Sequence, residues 1–220
     1  MQSKTKEIRR RVCVFCASSP GVQPQYRAEA VALGRLLGEA GLGLVYGGAQ
    51  VGLMGLLADA ALAQGGEVIG VIPRALAGVE VAHQGLSRLV LVETMHERKA
   101  LMVQEADAFV ALPGGFGTLD EFFEVLTWAQ LGIHTKPCLL VNTAGYYDQL
   151  LSFLEVAINQ GFLKPENRAY IHVVGNAAEA LQCLQQLWRT LPVSHAAPAT
   201  PAPDSSPARR HSRPRYASAS

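Results

Sequence analysis

Short apolar runs and amphipathic stretches alternate along this chain from residue 12 to residue 189. Residues 12–17, 42–46, 67–72, 88–92, 108–112, 136–141 and 170–174 are largely apolar and read as strands buried on both faces. Between them, residues 25–40, 53–64, 94–105, 122–129, 146–160 and 177–189 carry apolar side chains at helical spacing. The punctuation agrees. Gly41 follows the first helix, Gly65 and Gly66 follow the second, and Pro73 closes the third strand. Thr94 with Glu97 three residues on predicts a capping box. Residues 74–87 leave room for a loop with a short helix. Strands alternating with helices specify a parallel sheet covered on both sides, and no internal repeat is present. The predicted class is therefore α/β, a Rossmann-like doubly wound parallel sheet with helices on both faces.

Ligands in such sheets bind beyond the carboxyl ends of the strands. The most informative strand end is Pro113-Gly114-Gly115-Phe116-Gly117-Thr118-Leu119-Asp120-Glu121, which follows the run 108–112 and precedes a helix. The first amides of a helix lack partners inside it, glycines let an anion approach the backbone, and the helix dipole adds partial positive charge. The stretch also brings Asp120 and Glu121 within one turn of that anion. A cradle for an anion gains nothing from carboxylates there, which makes Glu121 a candidate for chemistry; complementing the dipole is the bland alternative.

A second stretch, Met95-His96-Glu97-Arg98-Lys99, opens the helix 94–105. It is not a zinc-protease motif, because Lys99 is followed by no histidine at position 100. Two adjacent cations at a helix start oppose the dipole, so Arg98 and Lys99 have another reason to be there. Arg98 is suited to a phosphate or carboxylate; a salt-bridged surface pair is the alternative. His96 reads as a structural or capping histidine. Ser18 and Ser19, after the first strand, offer hydroxyls to a phosphate or to the next helix. Gly47 and Gly48, after the second, let the backbone come near a ligand. Neither loop is a dinucleotide fingerprint, and no phosphate-loop motif of the G-x-x-x-x-G-K-[ST] type occurs.

Composition narrows the picture further. The net charge is +1, and the segment from residue 193 carries four arginines against Asp204, a charge of +3, which leaves −2 for the rest. That balance gives no argument for nucleic-acid binding. Cys13, Cys16, Cys138 and Cys183 make no disulfide framework in a chain of 220 residues. The Cys13/Cys16 pair falls inside the first predicted strand, on opposite faces, unlike a redox pair opening a helix. No metal-ligand spacing is present. Arg9-Arg10-Arg11 superficially resembles an export signal, but the apolar run behind it is too short. The uncharged stretch 40–58 is broken by glycines, so no membrane span is expected and the protein reads as cytoplasmic. The organisation expected is a basic extension over 1–10, one domain over 11–191, and a disordered Pro/Ala/Arg-rich tail over 192–220.

Taken together, Met95-His96-Glu97-Arg98-Lys99 and Pro113-Gly114-Gly115-Phe116-Gly117-Thr118-Leu119-Asp120-Glu121 resemble the paired signature of the LOG ("lonely guy") family, often labelled lysine decarboxylases. The resemblance spans residues 11–191 and takes in Tyr46-Gly47-Gly48 and Thr127-Trp128-Ala129-Gln130-Leu131-Gly132. It implies a cytokinin riboside 5′-monophosphate phosphoribohydrolase. Such an enzyme hydrolyses the N-glycosidic bond of an adenine-type nucleoside 5′-monophosphate to free base and ribose 5-phosphate, with no metal or other cofactor. By the same resemblance Arg98 and Glu121 are the catalytic pair. Glu80, Lys99, Gly114, Gly115, Phe116, Gly117, Thr118 and Asp120 contact the substrate, with Ser18, Gly47 and Gly48 added from the loop reading. A homodimer with the site near its interface is implied too, with no nucleic-acid or membrane partner. The alternative is a carrier of a nucleotide-like or molybdenum cofactor on the same fold. A lysine decarboxylase is disfavoured, because no lysine sits in an evident pyridoxal phosphate site.

Overall fold

The computed structural model describes residues 10–78 and 81–190; the predicted tail, Glu80 and most of the N-terminal extension lie outside the described residues. Among the described residues, β1 (Arg11–Phe15), β2 (Gly43–Tyr46), β3 (Val68–Pro73), β4 (Arg88–Val92), β5 (Ala108–Ala111), β6 (Cys138–Val141) and β7 (Ile171–Val174) form one sheet. All neighbours are parallel, in the order β4-β3-β2-β1-β5-β6-β7. The order reverses between β1 and β5, where Phe15 pairs with Ala111. Crevices open at such switch points, because the helices that follow the two strands leave to opposite faces.

That divergence is visible in the core. α1 (Pro24–Glu39), α2 (Gly52–Ala63) and α7 (Ala177–Thr190) cover one face; α4 (Met95–Glu105), α5 (Phe116–Gln130) and α6 (Asp148–Asn159) cover the other. A short α3 (Arg74–Ala77) follows β3. Alternation along β1 divides its side chains between the two sides. Val12, Val14 and Cys16 join Leu33, Leu37 and Leu57 in one cluster, while Cys13 and Phe15 join Met102, Phe109 and Phe122 in the other. The two neighbouring thiols thus lie in separate clusters on either side of the sheet. α1 and α2 approach closely because Gly34 has no side chain: a Cβ there would overlap the Leu57 carbonyl oxygen.

Element ends depart from the predicted bounds for identifiable reasons. β1 stops at Phe15, since Ala17 N–H donates to the Pro113 carbonyl at 3.3 Å and the Ala17 carbonyl accepts from Leu53 N–H at 3.0 Å. Cys16 therefore lies just past the strand. β6 begins only at Cys138, because the Lys136 N–H turns aside to His134 Nδ1 at 3.1 Å and Pro137 has no N–H. α6 begins at Asp148 rather than at Tyr146. Ala144 (φ 54°) and Gly145 (φ 73°) are left-handed, and Asn142 accepts the Tyr147 N–H at 2.7 Å while donating to Asp148 at 2.7 Å. Tyr146 and Tyr147 sit in that turn, outside the helix. Arg10, assigned to the extension, stacks over Trp188 of α7 at 4.9 Å from the ring centroid.

Two outcomes follow. Gly34→Ala has to force α1 from α2 and lowers stability by about 1–3 kcal/mol, read from urea unfolding; an unchanged midpoint would mean the crossing is not tight. Burial lowers the pKa of His134 and of His172 below the ordinary value of 6.5. The unfolded chain then binds more protons, so stability is complete above about pH 6.5 and declines as pH falls toward the lowered folded values. The slope is at most about 1.4 kcal/mol per pH unit for each imidazole, and His134→Gln flattens it in unfolding curves taken between pH 7 and 5.

Candidate active site

The glycine turn lies where the switch point predicts. β5 delivers Leu112 and Pro113 to the edge of the sheet, and α5 starts at Phe116 with Gly115 as its N-cap, so the first α5 amides face outward from the end of β5. A pocket of about 280 Å³ opens there, lined by Ser18 and Ser19 after β1, Gly47 after β2, Met54 of α2, Arg98 of α4, and Gly115, Phe116, Gly117, Thr118 and Glu121. Cys16 is also part of the lining, its thiol pushed up in pKa by burial and then by Glu121. A second compartment of about 410 Å³ shares Ala17, Ser19 and Gly115 with the first and is lined by Val22, Tyr26, Leu53, Pro113, Gly114 and Tyr146.

Arg98 and Glu121 meet inside. Each is only 8% exposed, and Arg98 Nη1 lies 3.2 Å from Glu121 Oε1. Arg98 Nε donates to the Val71 carbonyl of β3 at 3.1 Å, which fixes the plane of the guanidinium. Its Nη2 occupies the space where a Cβ on Gly47 would stand, so this glycine makes room for the arginine rather than for a tight turn. Helix α4 is aimed by its cap: Thr94 Oγ1 accepts the Glu97 N–H at 3.1 Å. The returning half of the capping box is shifted by one residue, since Glu97 accepts from the Glu93 N–H at 2.9 Å and not from Thr94. His96 is exposed, and the cap is made by Thr94 instead.

Lys99, one residue on, projects elsewhere. Its Nζ lies 3.1 Å from both Asp120 and Glu124 of α5. Burial alone would lower its pKa, but the hydrogen bonds to Glu124 and Asp120 outweigh that and raise it. Lys99 and Asp120, expected at the substrate, are thus engaged with each other and do not line the pocket; they brace α4 against α5 beside the inner Arg98–Glu121 pair. Gly48 is also outside the lining. Its φ of 79° turns the chain over β3, and its carbonyl accepts the His83 N–H at 3.0 Å. Ser18 and Ser19 line the pocket and do not cap α1, whose N-cap Gln23 makes no side-chain capping bond. Met54 and Tyr146 carried no chemical signal in the sequence: one lies on the buried face of α2, the other in a segment with helical periodicity.

The glycines of the turn differ in what requires them. A Cβ on Gly114 would overlap Thr118 Oγ1, so the fold itself excludes a side chain there. At Gly115 and Gly117 a Cβ would meet nothing within 4 Å, so the protein's own packing gives no reason for glycine. Both line the pocket, where an absent side chain matters only to something that approaches from outside. Open backbone at a helix start beside a buried carboxylate–guanidinium pair can hold an anionic group and present a carboxylate to a developing positive charge. Among the described residues no cluster of His, Cys, Asp and Glu could hold a metal ion.

Comparison with known proteins is consistent with this geometry. A family model described as "Possible lysine decarboxylase" matches residues 54–184. A probable cytokinin riboside 5′-monophosphate phosphoribohydrolase of Oryza sativa subsp. japonica is 50% identical over 177 residues, covering 80% of this chain and 72% of the relative. Cytokinin riboside 5′-monophosphate phosphoribohydrolases of Arabidopsis thaliana and Rhodococcoides fascians are each 47% identical, covering 83% and 84% of this chain and 86% and 94% of theirs. Among solved structures, the molybdenum cofactor binding protein of Rippkaea orientalis superposes with TM-score 0.64 at 20% identity, covering 82% of this chain and 98% of that one. The Moco carrier protein of Chlamydomonas reinhardtii gives 0.63 at 21%, covering 83% and 99%. At that identity the likeness is one of fold alone. With half its residues shared with such relatives over four-fifths of its length, the chain belongs to the LOG family of cytokinin riboside 5′-monophosphate phosphoribohydrolases.

Proposed function

We infer that this protein hydrolyses the N-glycosidic bond of cytokinin riboside 5′-monophosphates or AMP, releasing the N6-substituted or plain adenine and ribose 5-phosphate. The observation that carries the reading is the buried Arg98–Glu121 pair set one helical turn beyond an open glycine turn. The phosphate is held by the first amides of α5 with the Thr118 hydroxyl, and the ribose spans from there to Glu121. As the bond from C1′ to the base lengthens, its electron pair leaves with the base and the sugar gains oxocarbenium character. The Glu121 carboxylate stabilises that cation and directs a water to C1′, whose oxygen forms the new bond; one of its protons stays on the C1′ hydroxyl, and the other passes by way of the carboxylate to the departing base, leaving Glu121 ionised again. Arg98 keeps Glu121 aimed, and its anchoring on Val71 makes it an orienting group beside the sugar more than a clamp on the phosphate. Phosphate binding remote from the broken bond holds the sugar in register and accounts for a monophosphate requirement.

A homodimer is proposed because Phe116, 95% exposed at the pocket, is an apolar group that a second copy would cover. A cytoplasmic setting is proposed from four unpaired cysteines. The carrier alternative has the shared fold behind it, while the buried ion pair favours catalysis. For a decarboxylase Lys99 and Lys136 are poorly placed: Lys99 is bound to α5, and Lys136 Nζ donates to the Val103 carbonyl at 2.7 Å.

Glu121→Gln and Arg98→Ala each reduce base release by at least about 100-fold while the far-UV circular dichroism is unchanged, with adenine and isopentenyladenine measured chromatographically from the two monophosphates. Turnover near wild type in either variant would remove that residue from the mechanism. Gly117→Ala separates ligand from fold. It stabilises α5 or leaves it unchanged, within about 1 kcal/mol, yet raises KM for the monophosphate by at least about ten-fold; a normal KM would mean that no phosphate approaches that amide.

A further inference from the structure

The turn that presents the α5 amides contains a peptide flanked by two glycines, Gly114 and Gly115. Such a peptide has little steric resistance to rotation, and rotated by half a turn it would aim a carbonyl where the N–H should be. One side chain prevents this. The Tyr146 hydroxyl donates to the Gly114 carbonyl at 2.8 Å, from the turn after β6. Because the peptide is planar and trans, holding the Gly114 carbonyl on one side turns the Gly115 N–H to the other. The ring that carries this hydroxyl is itself fixed. It stands edge-on to Tyr26 (centroids 5.5 Å apart, 75° between planes) and to Tyr147 (4.8 Å, 86°). Tyr147 is buried and donates to the Leu112 carbonyl at 2.7 Å, and burial raises its pKa while the Gly114 amide opposes that rise.

We propose that Tyr146 is a positioning residue for the phosphate end of the substrate: its hydroxyl locks the Gly114–Gly115 peptide so that the Gly115 N–H faces the phosphate. The assignment rests on the hydrolase reading for the identity of the anion, and on the hydrogen bond and ring packing for the lock. The two adjacent tyrosines have different tasks. Tyr147 ties the end of β5 to the turn before α6, and its acceptor, Leu112, precedes a proline that has no N–H to aim. Tyr146 acts on the Gly114–Gly115 peptide, whose reversal would replace a donor with an acceptor at the start of α5.

The test compares Tyr146→Phe with Tyr147→Phe in the full chain, titrating ribose 5-phosphate by calorimetry and following AMP hydrolysis. In Tyr146→Phe the affinity for ribose 5-phosphate falls about five- to ten-fold, KM for AMP rises in the same ratio, and kcat stays within about two-fold of wild type. Its melting temperature changes by no more than about 2 °C. Tyr147→Phe has the opposite profile, with the larger loss of melting temperature and the smaller loss of ribose 5-phosphate affinity. Binding is read without turnover, so the two readings fail separately. Absence of base release from wild type defeats the hydrolase reading. An unchanged ribose 5-phosphate affinity in Tyr146→Phe, or losses that follow melting temperature in both variants, overturns the positioning role.

Discussion

A carboxylate and a guanidinium held together away from water constrain the rest of this molecule. Taking either charge into a protein interior costs several kcal/mol, of the order of 3–5 once its partner is removed. Arg98 and Glu121 meet that cost jointly, and Arg98 adds the Val71 carbonyl as a second acceptor. Each neighbour then has a restricted choice. Position 47 has to be glycine to admit the guanidinium, and α4 has to be capped at Thr94 for Arg98 to reach inward. The outer Lys99–Asp120–Glu124 cluster keeps α4 and α5 from sliding past each other, which would break the inner pair. A pair of this kind is weak support for stability and strong support for a fixed geometry, which is what an oriented carboxylate needs.

The same division runs through the glycine turn. Gly114 answers to Thr118, and Gly47 to Arg98, so both are explained by the protein alone. Gly115 and Gly117 are explained by nothing inside it. An anion-binding turn needs both kinds, because a backbone open to a ligand is also a backbone free to move. Here the freedom is limited by side chains from another loop, with Tyr146 and Tyr147 reaching back to the carbonyls of Gly114 and Leu112.

The sheet is shared with proteins named for molybdenum cofactor binding at 20–21% identity, so the architecture itself selects no chemistry. What the architecture supplies is the crevice between β1 and β5. The loops after β1, β2 and β5 converge there because the strands are parallel and in register, and the residues they carry decide what is bound.

The order of strands and helices, the parallel sheet, the division of β1 side chains between two faces, and the candidacy of Arg98, Thr118 and Glu121 were all legible from residue order. Periodicity and glycine punctuation are local properties, written within a few residues of where they act. Element ends were less legible: β1, β6 and α6 are cut short by bonds to Pro113, His134 and Asn142, which come from other loops or from the turn itself. Membership of the pocket was decided only by the tertiary structure. Arg98 and Lys99 are adjacent in sequence, yet a helix rotates each residue by about 100°, so one turns inward to Glu121 and the other outward to Asp120. Tyr146 belongs to the site through one hydrogen bond across the fold, to Gly114. The chain order specified which groups were available; only three-dimensional packing settled which of them share a cavity, because direction and distance are properties of the folded neighbours and not of spacing along the chain.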